Sequence, residues 1–324
     1  MKYLLNNNTD PYFNMALDEF CLENIVLDEP YFYLWRNRPS VIIGLNQNAY
    51  SEVNLKYLEE NGINLVRRVT GGGAVYHDLQ NLNYTIVGWQ AANNTAATGP
   101  AVIVNALREL GVPAELTGRN DIFVEGRKVS GYARRVSKRQ EIIHGTLMYD
   151  VDIDTLTHVL DTPGSKLNAK GIGSVKSRVA NLKDYLPGFK SLDEVQAALQ
   201  DILANGDHQM ELTESQLNEV RNMAENKFAT WDFIYGRSRE TGIARTAMLP
   251  CGTVSVEVCL DHGHITSISF YGDFLFGEPV QELSTILAGL RYDRPSIYES
   301  LMKADVSRFF PGSSVDEVLN LIIS

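Results

Sequence analysis

Apolar residues recur along the chain with two periods, and these place most of its elements before any motif is considered. Phe13, Ala16, Leu17, Phe20 and Cys21 fall three and four apart, which predicts an amphipathic helix over residues 11–25. Asp10 and Pro11 supply its N-cap and a proline at the first helical position. Short dense runs at 3–5, 31–35 and 40–44 read as strands, the last two separated by Arg36-Asn37-Arg38-Pro39. Residues 100–110 read as a helix closed by Gly111. Strand-like 122–124 and 129–132 flank a turn at Glu125-Gly126. Capping boxes at Ser191-Leu192-Asp193-Glu194 and at 213–216 open helices that reach about Leu203 and Phe228. Beyond a polar, glycine-bearing linker around 235–239, Val254, Val256, Val258 and Leu260 alternate. Asp261-His262-Gly263 then turns, and Ile268 and Phe270 continue a hairpin. Helices near 280–290, 295–304 and 315–323 complete the chain.

Length and charge narrow the class. A chain of 324 residues implies one large and one small domain. With 29 basic against 40 acidic residues the net charge is -11, which argues against a general nucleic-acid binder. No run is long enough to span a membrane, and the N-terminus lacks the apolar core of a signal peptide. The three cysteines have no CxxC spacing and no histidine cluster nearby. Cys21 on an apolar helical face and Cys259 in a strand pattern read as small core residues, which fits a reducing compartment, the cytoplasm.

Candidate chemistry begins between two strand-like runs, at Gly71, Gly72 and Gly73. A bare glycine triplet reads as a tight hairpin turn. Here Arg67 and Arg68 stand just before it, with Tyr76 and His77 just after. A hairpin needs none of these, whereas an anion site wants peptide N–H groups and a guanidinium together. The loop is not of the Walker type, because its last glycine leads into Ala-Val-Tyr-His and not into a lysine opening a helix.

The whole run 67–85, RRVTGGGAVYHDLQNLNYT, resembles the signature of the lipoate–protein ligases, within the biotin/lipoate ligase superfamily. Gln80 departs from it, since relatives often carry glycine there. An earlier passage, Trp35-Arg36-Asn37, Pro39-Ser40 and Asn46-Gln47-Asn48, also matches, with Leu45 where many relatives have arginine. Lys128 in GRKVSG, preceded by Asn120-Asp121 and followed by Ser130-Gly131, is similar to the family's lysine motif, and His144 occupies a further family position. GIGSVKSRV at 171–179 resembles the adenylate-binding loop. Tyr271-Gly272-Asp273-Phe274 resembles a signature of the small tail domain, although turn geometry alone accounts for that tetrapeptide.

The resemblance implies an α+β fold: a large domain with a mixed, mainly antiparallel sheet flanked by helices, plus a small α/β C-terminal domain, divided as 1–238 and 243–324. It implies activation of lipoate by ATP to lipoyl-AMP and transfer of the lipoyl group to a lysine of an apo carrier. Such carriers are the lipoyl domains of 2-oxoacid dehydrogenase E2 subunits and the glycine cleavage H protein. Lys128 becomes the catalytic cation. Arg68, Gly71, Gly72, Gly73, Ala74, Val75, Tyr76, His77, Asn120, Asp121, His144, Gly173, Ser174, Val175, Ser177 and Arg178 become ligand-binding residues, with Asp121 or Asn120 holding Mg²⁺ through oxygen. The chemistry fits, because a carboxylate attacking a phosphate needs cations and preorganised donors to offset repulsion. An octanoyltransferase of similar sequence would carry a cysteine nucleophile where this chain has Gly118-Arg119-Asn120-Asp121. A biotin ligase would carry a GRGR-type motif, which is missing. A non-catalytic binder of lipoyl carriers would not need Arg68, the glycines and Lys128 together.

Between Arg119 and Arg139 seven basic residues face only Asp121 and Glu125, a local reversal of sign. Arg134, Arg135, Lys138 and Arg139 are therefore expected to form the docking side for an acidic carrier. The cysteines lead to a separate expectation. Changing Cys21, Cys251 and Cys259 together to serine should leave lipoyl transfer in place, at some loss of stability, when transfer is assayed on the folded variant. Loss of transfer in a still-folded triple variant would restore the thioester alternative.

Overall fold

The structure is a computed structural model that describes residues 1–324 except 90–97, 118–119, 138–139, 161–176, 205, 207–208, 236–242, 262–263, 276 and 324. The strands in chain order are β1 (Lys2–Leu4), β2 (Tyr31–Trp35), β3 (Ser40–Ile43), β4 (Asn64–Arg67), β5 (Val75–His77), β6 (Asn81–Trp89) and β7 (Ala114–Thr117). They continue as β8 (Asp121–Val124), β9 (Arg127–Val136), β10 (Gln140–Met148), β11 (Gln209–Met210), β12 (Ile243–Leu249), β13 (Gly252–Asp261) and β14 (His264–Gly272). Eight of them form one sheet in the order β11-β1-β2-β6-β10-β9-β8-β7. Only β1 pairs in parallel, with β11 and β2, so the sheet is mixed and mainly antiparallel as the resemblance implied.

Helices cover both faces, and the sequence of β2 shows why. In YFYLW, Phe32 and Leu34 join a cluster with Ile103, Leu107, Val195 and Leu199 from helices Thr98–Glu109 and Leu192–Ala204. Tyr31, Tyr33 and Trp35 point the other way, toward Ala16, Leu17 and Phe20 of helix Pro11–Asn24. Side chains alternate across a strand, so a strand buried on both faces is apolar throughout. Asp10 caps helix Pro11–Asn24 as expected, accepting from the N–H groups of Tyr12 and Phe13. Thr213 and Gln216 form the anticipated capping box. At Ser191 only half of the box forms, because Glu194 reaches the N–H of Lys190 instead.

A second sheet, β4-β3-β5, corrects the hairpin reading of the glycine triplet. Strands β4 and β5 do not pair; they flank β3, one parallel and the other antiparallel to it. The glycines must therefore cross over an end of β3. Arg67 is fully buried at this point. Its guanidinium donates to the carbonyls of Gly44, Leu45 and Gln47 after β3, and to those of Phe233 and Ile234 far along the chain.

The C-terminal segment has a core of its own, drawn from residues 249–322: β13, β14 and three helices, Gln281–Leu287, Arg294–Ala304 and Val315–Ile323. Cys251 belongs to this core, but Cys259 is only half-buried on the outer side of β13, which corrects its reading as a core residue. Its neighbours Val256 and Val258 take the inward positions. Helix Trp231–Ile234 ends just before the expected linker, and residues 236–242 lie outside the described residues. No described helix is long and apolar enough to cross a membrane.

Arg67→Met is expected to destabilise the protein by about 3 kcal/mol or more, because it leaves several buried carbonyls without donors. A lower urea midpoint with a native circular dichroism spectrum in buffer is the expected observation. An unchanged midpoint would show that these carbonyls find other partners.

Candidate active site

The strand register builds the floor of one cavity. Trp35 on β2 lies opposite Asn83 on β6, and Asn83 opposite Thr146 on β10. Two residues along, Tyr33, Thr85, His144 and Ala133 form a second row across β2, β6, β10 and β9. Positions two apart share a face, so both rows look the same way. A cavity of about 130 Å³ opens on this face. Met15, Trp35 and Ile42 give it an apolar wall, and Arg68, Asn120 and Lys128 give it polar groups. The glycine loop closes it through residues 72–75.

The loop is held from within by Arg68. Four of its five N–H groups are engaged with the loop and β3: Nε reaches Thr70 Oγ1 at 3.0 Å and Gly71 O at 3.1 Å, and Nη1 reaches Ile42 O at 3.0 Å. Nη2 reaches Gly71 O at 2.6 Å and Gly73 O at 2.9 Å. Burial lowers its pKa to about 10, a range in which it still carries its charge at neutral pH. Arg68 therefore shapes the loop first, and what it offers a ligand is mainly its charge. Gly72 adopts φ 94°, a left-handed conformation that favours glycine. Its N–H donates to Phe274 O of the C-terminal segment at 3.2 Å, and a Cβ on Gly71 would stand 2.4 Å from that same oxygen. The YGDF stretch does not form the expected turn: Tyr271 and Gly272 end strand β14, the chain bends at Asp273, and Phe274 O is the contact that seats the C-terminal segment on the loop.

Behind the loop runs a buried relay that the sequence did not announce. Asp18 on helix Pro11–Asn24 accepts from Tyr33 Oη at 2.5 Å and from Thr85 Oγ1 at 3.0 Å. Its other oxygen meets His144 Nδ1 at 2.6 Å, and His144 Nε2 meets Thr70 Oγ1 at 2.7 Å. A carboxylate only accepts, so Nδ1 of His144 carries a proton, and the relay continues through Thr70 to Arg68. His144 therefore belongs to the site, as the family position implied. Asp18, Thr70, Trp35 and Asn83 were missed. Asp18 is signalled only as a polar residue on an apolar helix face, and Asn83 by polar positions two apart on a strand; Trp35 and Thr70 lie within the motif stretches but carry no signal of their own for a place in the site.

Lys128 sits where the Glu125-Gly126 turn delivers it. Both turn residues have positive φ, 50° and 76°, which suits a two-residue hairpin between β8 and β9. Its Nζ lies 2.7 Å from Asp121 Oδ1 on the neighbouring strand β8, although the residue paired with Lys128 is Phe123 and Asp121 pairs with Gly131. Asn120 lines the cavity and is pinned by a bond from Nδ2 to Tyr132 O. Ala180 N donates to Lys128 O and Val179 bridges Lys128, so Ser177 and Arg178 stand beside the lysine although they are exposed. Gly173, Ser174 and Val175 lie outside the described residues. Tyr76 is the exception among the residues of β5. Val75 and His77 line the cavity, whereas Tyr76 alternates away and packs with Val41, Ile43 and Leu58.

The basic segment is less open than its composition implied. Arg134 pairs with Glu141, and Arg135 with Glu19 and Glu23, so internal carboxylates neutralise both. Lys138 and Arg139 lie outside the described residues. No cysteine lines the cavity among the described residues. Cys21 is enclosed in the core, and burial pushes its thiol up to about 12, well away from a reactive thiolate.

Comparison with known proteins agrees with this geometry. Residues 10–204 match the family model for the lipoyl protein ligase A/B catalytic domain, and residues 238–322 that for the bacterial lipoate protein ligase C-terminus. The chain is 36% identical to the lipoate-protein ligase LplJ of Bacillus subtilis, covering 99% of this chain and 100% of that one. Among solved structures, LipL1 of P. falciparum in complex with lipoate aligns with a TM-score of 0.82 at 26% identity, covering 99% of both chains. A lipoate-protein ligase A bound with ATP aligns with a TM-score of 0.63 at 31% identity, over 72% of this chain and 98% of that one. A match to both domain models, with a relative of this identity along its full length, shows that the chain belongs to the lipoate-protein ligase family.

Proposed function

We propose that this ligase uses ATP to convert lipoate to lipoyl-AMP and passes the lipoyl group to a lysine of an apo carrier in the cytoplasm. Residues 1–238 are the catalytic domain on this reading, and 243–324 the accessory domain. The acceptors are the lipoyl domains of E2 subunits and the H protein of glycine cleavage. One observation carries the reading: a single cavity joins an apolar wall of Met15, Trp35 and Ile42 to a polar rim of Lys128, Asn120 and loop N–H groups. An acyl chain ending in a carboxylate needs that combination.

Two balanced steps follow. A carboxylate oxygen of lipoate attacks the α-phosphorus of ATP, and pyrophosphate leaves with the electron pair of the broken P–O bond. The neutral amine of the carrier lysine then attacks the acyl carbon, loses a proton and displaces AMP. In the first step two anions approach each other, and the ammonium of Lys128 lowers that repulsion. Asp121 holds Lys128 at 2.7 Å, which fixes the cation before the substrate arrives. The apolar wall keeps water from the acyl-adenylate, which hydrolyses readily. Mg²⁺, when bound, neutralises phosphate charge, with Asp121 as its protein ligand. Among the described residues no group of three metal-ligating side chains occurs. That donor set suits an ion carried in by the nucleotide more than an all-protein cage.

The direct test is incubation with ATP, Mg²⁺, lipoate and an apo carrier domain, read as a lipoyl mass shift on the carrier. Lys128→Ala is expected to lower lipoate-dependent ATP–pyrophosphate exchange by roughly a hundredfold or more while the fold stays intact. Near-normal exchange in that variant would remove Lys128 from the first step.

A further inference from the structure

Among the described residues, two buried polar atoms at the cavity wall have no hydrogen-bond partner, His77 Nε2 and Asn83 Nδ2. Both residues line the cavity, at 3% and 1% exposure. Native structures rarely leave such groups unmet, and a bound ligand is one way to meet them.

The sheet measures how far these atoms stand from the reacting end. Lys128 Nζ lies over Gly131 of β9, where a Cβ would stand 3.1 Å from it. Gly131 N donates to Thr146 Oγ1 of β10 at 3.2 Å. Thr146 lies opposite Asn83 of β6, and Asn83 opposite Trp35 of β2. One row of residues therefore runs from the ammonium to the Trp35 end. Neighbouring strands are about 4.8 Å apart, so Asn83 lies about 10 Å from Gly131. In lipoate, five carbon–carbon bonds and one carbon–sulfur bond separate the carboxyl carbon from the nearer ring sulfur. That is about 8 Å for an extended zigzag of bonds of about 1.5 Å, and a hydrogen bond to Lys128 adds about 3 Å. With its carboxylate on Lys128, the acid brings its dithiolane ring level with Asn83.

What each atom offers there follows from its neighbours. Asn14 Nδ2 lies 2.9 Å from Asn8 O and 3.2 Å from Arg36 O, and both carbonyls can only accept. The Asn14 amide is thereby oriented, with its Oδ1 accepting from Asn6 Nδ2 at 2.9 Å. Asn14 Nδ2 also lies 2.8 Å from Asn37 Oδ1, so Asn37 turns its own Nδ2 toward His77 Nδ1, at 3.1 Å. An amide nitrogen only donates, so Nδ1 of His77 is the unprotonated nitrogen and the ring proton sits on Nε2. Burial, with Arg68 and His144 nearby, pushes the pKa of His77 down to about 3, so the ring is neutral at working pH. The edge of Trp35 packs against it, ring centroids 5.9 Å apart. At Asn83 the logic is shorter. Asn81 Nδ2 donates to Asn83 Oδ1 at 2.9 Å, which leaves Nδ2 as the free end.

We propose that His77 Nε2–H and Asn83 Nδ2–H are specificity-determining donors that meet a sulfur of the dithiolane ring, and that Asn14 and Asn37 are positioning residues that set the tautomer of His77. The identity of the ring rests on the ligase reading; the tautomer does not. Disulfide sulfur, like the thioether of methionine, is a weak acceptor, and a neutral N–H suits it. Charge-assisted hydrogen bonds are roughly twice as strong as neutral ones, so the carboxylate goes to Lys128 and leaves these donors to the ring. A hydrocarbon ring of similar shape would bury both donors unpaired. The pair therefore discriminates through what such a ring fails to meet.

The test uses the full chain with ¹⁵N-labelled histidine and two acids, lipoate and 5-cyclopentylpentanoate, in which carbon replaces both sulfurs. In the wild type, His77 should show an unprotonated Nδ1 and a protonated Nε2 between about pH 5 and pH 8. Lipoate alone should shift the Nε2–H resonance, and the carbocyclic acid should shift it less. In pyrophosphate exchange, kcat/KM for lipoate should exceed that for the carbocyclic acid about tenfold, the worth of roughly one hydrogen bond. Asn37→Asp replaces the donor by an acceptor, so the proton should move to Nδ1 and most of that preference should be lost. Asn83→Leu should lower the preference through the second donor. A wild-type Nδ1–H tautomer, or a cationic ring at neutral pH, overturns the proposal whether or not either variant folds. So does an active enzyme that uses both acids equally well, or one that keeps its preference after the proton has moved. Absence of any lipoate-dependent exchange in the wild type would instead defeat the ligase reading. The sulfur contact is then decided by the resonance alone, and an equal response to both acids overturns it.

Discussion

The site depends on two adjacent guanidinium groups that hold backbone carbonyls. Arg67 and Arg68 come at the end of β4, where the chain must leave one side of β3 and arrive on the other. Consecutive side chains diverge there. Arg67 gathers the carbonyls of the segment after β3 and those of Phe233 and Ile234, while Arg68 gathers those of the glycine loop. A loop rich in glycine has many conformations to lose on folding, and a buried cation with fixed donor directions selects one. The carbonyls turn inward to the cation.

That arrangement couples the loop to both ends of the molecule. On one side Thr70 passes the constraint to His144 and Asp18, and so to helix Pro11–Asn24 and the main sheet. On the other, Gly72 N–H and the missing Cβ of Gly71 let Phe274 of the C-terminal segment sit against the loop. Asn46 O accepts from Gly272 N at 2.9 Å and widens the same contact. Leu45 lies at the cleft beside it, where the family pattern has arginine. The glycines thus serve the domain contact as well as the cavity, which explains three in a row better than ligand approach alone.

Much of this was legible in the sequence where a local rule applied. Asp10-Pro11, Thr213 with Gln216, and the turn before Lys128 each depend on residues within four positions, and each formed where the pattern put it. The motif residues Arg68, Lys128, Asn120, His77 and His144 do meet at one cavity. What the pattern could not convey was direction and partnership. Tyr76 stands between two cavity residues, yet strand alternation sends it to the core on the far side. Arg134 and Arg135 counted as a basic patch until Glu141, Glu19 and Glu23 were seen beside them. Glu19 is more than a hundred residues away along the chain, beyond any periodicity.

The same limit explains why histidine was the least readable residue type here. His77 and His144 both line the cavity and are both buried, yet their partners assign them opposite roles. A carboxylate at Nδ1 of His144 puts a proton on that nitrogen, and Thr70 takes up the other. An amide donor at Nδ1 of His77 removes the proton from that nitrogen and places it on Nε2. Neither assignment can be made from the histidine or its neighbours in sequence. It requires Asp18 in one case and, in the other, two backbone carbonyls that orient Asn14. The protonation pattern of the cavity is therefore set by groups outside it, through hydrogen bonds whose direction the backbone fixes. An Asn-to-Asp exchange at Asn37, nearly without change in shape, would put an acceptor where His77 Nδ1 now meets a donor and so reverse the tautomer that the backbone sets.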